Sequence, residues 1–214
     1  MGRIGHLRCN KSALVLVLFA SARVAAGAES GGNPAIGQQQ SEQERCQECH
    51  GAVGLSSNEK IPHHAGQIAG YLIKQLRDFQ SGARHHEVMN LMAEDLADAD
   101  VANIAAYFAS QPVMPGDAAG SKENTLAENL FVNGDPSRAL PACASCHGEN
   151  GKGRVANQLF YPVIGGQRSV YLRGQLVSWK LGERNNSPDG VMNKVAKALS
   201  DEEIDALADY ISGL

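Results

Sequence analysis

Aromatic side chains are scarce: Phe, Trp and Tyr together make up 5% of the 214 residues. A core of this size must therefore be filled largely by something else. Surplus positive charge is absent. Nineteen basic residues stand against 23 acidic ones, a net −4, and phosphate binding needs clustered Lys and Arg, so a nucleic-acid binder is excluded. A disorder-like composition is absent too, since 43% of the chain is hydrophobic. The longest apolar run, Ala13 to Ala22, falls short of the roughly 20 residues a spanning helix needs. No stretch alternates polar and apolar residues for long enough to predict a sheet. The length leaves room for one or two domains and excludes a large multidomain enzyme.

The short apolar run has a different explanation. Arg3, Arg8 and Lys11 precede it and the small-x-small triplet Ala26-Gly27-Ala28 follows it, the pattern of a secretory signal peptide. The expected cut after Ala28 removes residues 1–28. A cut after Ala22 and an uncleaved anchor are the alternatives. The cut leaves 186 residues with four cysteines and, at 15 basic against 23 acidic residues, a net charge of −8. The product is expected to be exported to the periplasm and to be soluble or peripherally membrane-associated.

What is present is two copies of one motif. All four remaining cysteines lie in Cys46-Gln47-Glu48-Cys49-His50 and Cys143-Ala144-Ser145-Cys146-His147, both the C-x-x-C-H frame of covalent haem c attachment. Two thiols three positions apart share one side of a helical turn and can reach both vinyl groups of one porphyrin. The adjacent His then faces the iron. Zinc, a redox dithiol or plain disulfides could also use C-x-x-C pairs. The pairs are 97 residues apart, however, no βαβ pattern surrounds them, and none of the three needs a His after each pair. The expected cofactors are two covalently bound haem c groups.

The rest of the chain is duplicated as well. Pro62, Gly66, Gln67, Tyr71, Leu72, Gln75, Leu76, Gly82 and Arg84 recur 100 residues later as Pro162, Gly166, Gln167, Tyr171, Leu172, Gln175, Leu176, Gly182 and Arg184. Leu96, Asp98 and Tyr107 recur 103 residues later as Leu199, Asp201 and Tyr210. The reading is a mobile, Gly- and Gln-rich segment over 29–43, a first haem domain over 44–111, a linker over 112–121 and a second haem domain over 122–214. Both domains should be helical. Ile68, Leu72, Leu76 and Phe79 fall on one helical face that Gly82 would end, and Ser169–Lys180 with Gly182 is its counterpart. Ser200-Asp201-Glu202-Glu203 reads as a capping box. Ala97 occupies the matching position in the first half, with Asp98 as the substitute cap.

A low-spin electron carrier needs a second axial ligand on each iron. Among Met89, Met92, Met114 and Met192, only Met89 and Met192 are in register, each seven residues before Leu96 or Leu199. They are the expected ligands opposite His50 and His147. Met92 aligns with Val195 and reads as packing, and Met114 falls in the linker. His63-His64 and His85-His86 have no counterparts in the second half; they read as exposed loop histidines, with one of them replacing Met89 as the alternative.

With these motifs in place the sequence resembles the cytochrome c4 family, the dihaem class I c-type cytochromes, from Cys46 to Leu214. The resemblance rests on both C-x-x-C-H-G motifs and on the P-x-x-x-G-Q-x-x-x-Y-L-x-x-Q-L pattern starting at Pro62 and Pro162. It implies an all-α fold of two tandem class I cytochrome c domains related by internal duplication. It also implies that the Pro62 and Pro162 carbonyls hold the ligating histidines, orienting the rings and raising their basicity. The chain departs from the family pattern in its His-rich first half and in Ala52-Val53-Gly54 after the first motif. The expected function is single-electron transfer between periplasmic redox proteins, from a donor such as a quinol:cytochrome c reductase toward a terminal oxidase, without catalysis. A dihaem subunit of a dehydrogenase complex and a dihaem peroxidase are the alternatives.

Overall fold

The computed structural model describes residues 1–2, 31–116 and 125–214. The expected signal peptide, apart from its first two residues, and positions 117–121 of the expected linker lie outside the described residues. The first half contains α1 (Pro34–Gln43), α2 (Cys46–His50), α3 (Ala69–Gln80), α4 (Glu87–Ala93) and α5 (Asp98–Ala109). The second contains α6 (Thr125–Asn133), α7 (Cys143–His147), β1 (Arg154–Ala156), β2 (Leu159–Tyr161), α8 (Ser169–Leu181), α9 (Val191–Ala198) and α10 (Asp201–Ser212). From α2 and α7 onward, the same order of helices runs through both halves. No helix among the described residues is long and apolar enough to cross a membrane.

The long helices behave as their patterning dictates. Leu72 and Phe79 are buried on α3, Leu76 packs beside them, and Ile68 stands just before the first turn as the cap. Gly82 (φ +74°) and Gly182 (φ +79°) follow α3 and α8 in the left-handed region that only glycine adopts without penalty. On α10, Ser200 Oγ accepts from Glu203 N–H (3.2 Å) and Glu203 Oε2 from Ser200 N–H (2.8 Å), the reciprocal box. In the first half Asp98 is not the cap. It is the first residue of α5, and Asp100 Oδ2 reaches back to Ala97 N–H at 3.3 Å.

Two expectations are corrected. Residues 34–43, read as part of a mobile segment, form α1, which packs along α5. Asn33 caps it by accepting from the Ala35 and Ile36 N–H groups, and Pro34 opens it. Its contact face carries Gly37 and Ser41, both buried. A Cβ on Gly37 would run into the Asn103 carbonyl. Close approach through small residues leaves no apolar stripe for periodicity to detect. The second correction is a hairpin. β1 and β2 pair antiparallel, with Arg154 opposite Tyr161, around Asn157 (φ +50°) and Gln158 (φ +62°). Two positive φ values match the twist of a tight hairpin turn, but strands of three residues are too short to alternate visibly.

Each half has its own apolar cluster, built on Leu72, Val101, Ile104 and Phe108 in the first and on Leu130, Phe131, Ile204 and Leu207 in the second. A third cluster, Ala65, Met114 and Val163, joins them. Met114 is thus core rather than free linker, and its sulfur accepts from Gln167 Nε2 at 3.5 Å. Across the same join the Phe160 ring lies where a Cβ of Gly70 would be.

Candidate haem-binding sites

Each C-x-x-C-H motif is a single helical turn ended by a glycine: Gly51 (φ +82°) after α2 and Gly148 (φ +80°) after α7. A side chain at position 51 would also strike the Leu55 carbonyl, so the chain can double back only through glycine here. The return brings the downstream proline over the motif. His50 Nδ1 lies 3.0 Å from the Pro62 carbonyl oxygen, and His147 Nδ1 lies 3.0 Å from that of Pro162. A carbonyl can only accept, so Nδ1 carries the proton and Nε2 keeps its lone pair for a metal. Burial lowers the pKa of both histidines, with the proline carbonyls pulling the other way. They stay neutral, as ligation requires.

The four motif cysteines are unpaired thiols. Burial pushes Cys46 and Cys143 up to about 11. Among the described residues, no three His, Cys, Asp or Glu side chains converge as a metal site of their own.

Met89 and Met192 occupy equivalent half-buried places on α4 and α9. The sequence reading missed what seats them. Asn90 Nδ2 donates to the carbonyls of Phe79 (2.6 Å) and Arg84 (3.0 Å), and Asn193 Nδ2 donates to those of Trp179 and Arg184, both at 2.8 Å. The residue after each methionine therefore fastens its helix to the turn that ends the preceding long helix. The spacing of 103 shared by Asn90 and Asn193 was the available signal. Buried positions in and just after these two helices match (Ala93 with Ala196, Leu96 with Leu199), whereas exposed positions differ. Leu91, 70% exposed, and exposed Glu94 stand where α9 carries exposed Lys194 and Lys197. Met92 does not pack as expected but is 37% exposed.

The first-half histidines divide into two pairs. His85 and His86 are exposed, as expected, and His86 Nδ1 accepts from Met89 N–H at 3.3 Å. His63 and His64 are not exposed. His63 is buried and accepts the Ser56 N–H at 2.9 Å. The His64 ring stacks on His50 at 4.0 Å between centroids. Their counterparts are Val163 and Ile164, so these histidines occupy apolar positions of the repeat, which the loop reading overlooked.

The repeated Tyr, Gln and Arg positions meet at the join. Arg84 donates to Gln75 Oε1 (2.8 Å), Gln175 Oε1 (2.8 Å) and the Tyr171 hydroxyl (3.2 Å). Arg184 donates to the same two glutamines and to Tyr71 (3.3 Å). Two buried guanidiniums thus share neutral acceptors only, a donor set suited to carboxylates. Haem supplies two carboxylates per group, so these residues fit the cofactor as the thiols and histidines do.

The Cytochrome c family model matches residues 138–214. Cytochrome c4 of Pseudomonas aeruginosa is 39% identical over 87% of this chain and 91% of the relative. The thiosulfate dehydrogenase electron acceptor of Stutzerimonas stutzeri is 36% identical over 79% of this chain and 78% of that protein. The crystal structure of reduced cytochrome c4 from Pseudomonas stutzeri superposes with a TM-score of 0.76 at 36% identity, covering 86% of this chain and 99% of that one. With likeness running through both halves in sequence and fold, the chain belongs to the cytochrome c4 family: it is a dihaem c-type cytochrome that carries electrons and is not an enzyme.

Proposed function

We propose that Cys46 and Cys49 hold one haem c and Cys143 and Cys146 the other, with His50 and Met89, and His147 and Met192, as the axial ligand pairs. The observation that carries this reading is the matched 3.0 Å contact of each motif histidine with its proline carbonyl, which leaves Nε2 free in both halves. Bound haem supplies an iron that cycles between two oxidation states. The chain's own residues do the remainder. The thiols would tether the group, the histidines and methionines would ligate its iron, Asn90 and Asn193 seat the methionines, and Arg84 and Arg184 would offer charge to carboxylates. With a histidine and a methionine on each iron no position would remain for a substrate, so a peroxidase is disfavoured.

The chain acts after export to the periplasm and passes single electrons from a donor of the quinol:cytochrome c reductase type toward a terminal oxidase. The second reading is service to a dehydrogenase, and it is supported by the relative named as the electron acceptor of thiosulfate dehydrogenase. Redox titration with optical spectra tests the ligand set. The wild type should show two low-spin haems, and Met89→Ala and Met192→Ala should each abolish the Met-ligated signature of one. A spectrum unchanged by Met89→Ala would sink the assignment in the first domain.

A further inference from the structure

The side-chain amides of Gln67 and Gln167 cross the join in opposite directions. Gln67 Nε2 donates to the Val163 carbonyl and its Oε1 accepts from Val163 N–H, both at 2.9 Å. Gln167 Nε2 donates to the His63 carbonyl at 3.0 Å and its Oε1 accepts from His63 N–H at 2.8 Å. All four partners are at most 5% exposed. Val163 follows Pro162 and His63 follows Pro62. The N–H that each glutamine accepts therefore belongs to the same peptide unit as the carbonyl that holds the ligating histidine of the other domain.

We infer that Gln67 and Gln167 are positioning residues acting in trans: each sets, through one peptide unit of the opposite domain, the strength of the hydrogen bond that holds that domain's iron-ligating histidine. The relay in the second domain runs from Gln67 Oε1 to Val163 N–H, then from the Pro162 oxygen of that peptide to His147 Nδ1–H. In the first it runs from Gln167 Oε1 through the Pro62–His63 peptide to His50. A peptide whose N–H is engaged is a better acceptor at its oxygen, and hydrogen bonds in series strengthen one another most where water is excluded. A better acceptor draws the imidazole proton further and makes the ring a more basic ligand. Packing alone does not require this arrangement, since an apolar side chain of glutamine's size would fill the same space without touching the peptide polarity.

The proposal rests on His50 and His147 as iron ligands, and the test separates the two. In the oxidised, haem-loaded wild type, proton NMR should show a hyperfine-shifted Nδ1–H for each ligating histidine. Absence of both signals would overturn the ligand reading itself. Given the signals, Gln67→Leu should speed exchange of the His147 Nδ1–H about threefold and raise the potential of the haem in the second domain, leaving His50 and the first haem unchanged. Gln167→Leu should do the reverse. Gln67→Glu keeps an oxygen opposite Val163 N–H while losing the donor to its carbonyl, so it should return His147 exchange toward the wild-type rate. Shifts confined to the mutated domain, shifts equal in both domains, or equal acceleration in the Leu and Glu variants would each overturn the relay and leave the glutamines as interface packing.

Discussion

Asn90 and Asn193 each commit both amide hydrogens to backbone carbonyls, one near the end of α3 or α8 and one in the turn that follows it. Truncating such a side chain removes two part-buried hydrogen bonds, each worth about 1 kcal/mol, and leaves the helix-end carbonyl only its glycine N–H. Asn193→Ala should therefore lower the thermal midpoint in circular dichroism and, under the proposed ligand set, weaken the absorption assigned to Met192 while that assigned to Met89 stays as it is. At this scale the proposed site is itself a reading of the sequence. The thiols and histidines follow from motif chemistry, and the methionines follow from register. His63 and His64 were misread because a polar pair between Pro62 and Gly66 looks like a loop tip. Only the fold reveals that the Gln167 amide covers the backbone of His63 and that the His64 ring lies on His50.

The closing helices α5 and α10 offer a controlled comparison, because their cap residues share one backbone conformation. Ala97 lies at φ −69°, ψ 157° and Ser200 at φ −74°, ψ 168°. Only Ser200 has an oxygen to give. Ser200→Ala should cost about 1 kcal/mol and Ala97→Ser should gain a similar amount, both within the usual worth of a helix cap; denaturant midpoints measure each. Elements with large apolar faces were legible in the sequence, as Leu72 and Phe79 on α3 and Ile204 and Leu207 on α10 demonstrate. Helix α1 was not. Its face is made by Gly37 and Ser41, and close backbone approach against Asn103 leaves no hydrophobic period. The β1–β2 hairpin escaped notice because only its turn, Asn157-Gln158, carries a signal.

The halves interlock through Gln67 and Gln167, through Arg84 and Arg184, through Met114, and through Phe160 over Gly70. Each supplies partners that the other's buried backbone lacks, so opening the join would expose polar groups with no replacement but water. Calorimetry of the haem-loaded protein should accordingly show one cooperative transition, with calorimetric and van't Hoff enthalpies in agreement; two resolved transitions would show that the halves melt independently. The duplication itself was plain in the sequence. Its reciprocity was not, because a repeat records which residues recur and not which copy they touch.

The opposed outer faces of α4 and α9 extend to the halves that carry them. Residues 31–116 hold five basic and ten acidic side chains, whereas residues 125–214 hold nine and ten. Such a molecule is an electric dipole, negative toward its first half. Approaching a charged surface within about 10 Å, the screening distance at moderate salt, it experiences a torque before any contact forms. A positively charged surface turns the first domain inward and a negatively charged one turns it away. Which haem faces which neighbour is then biased during diffusion, and orientation becomes part of the route an electron takes.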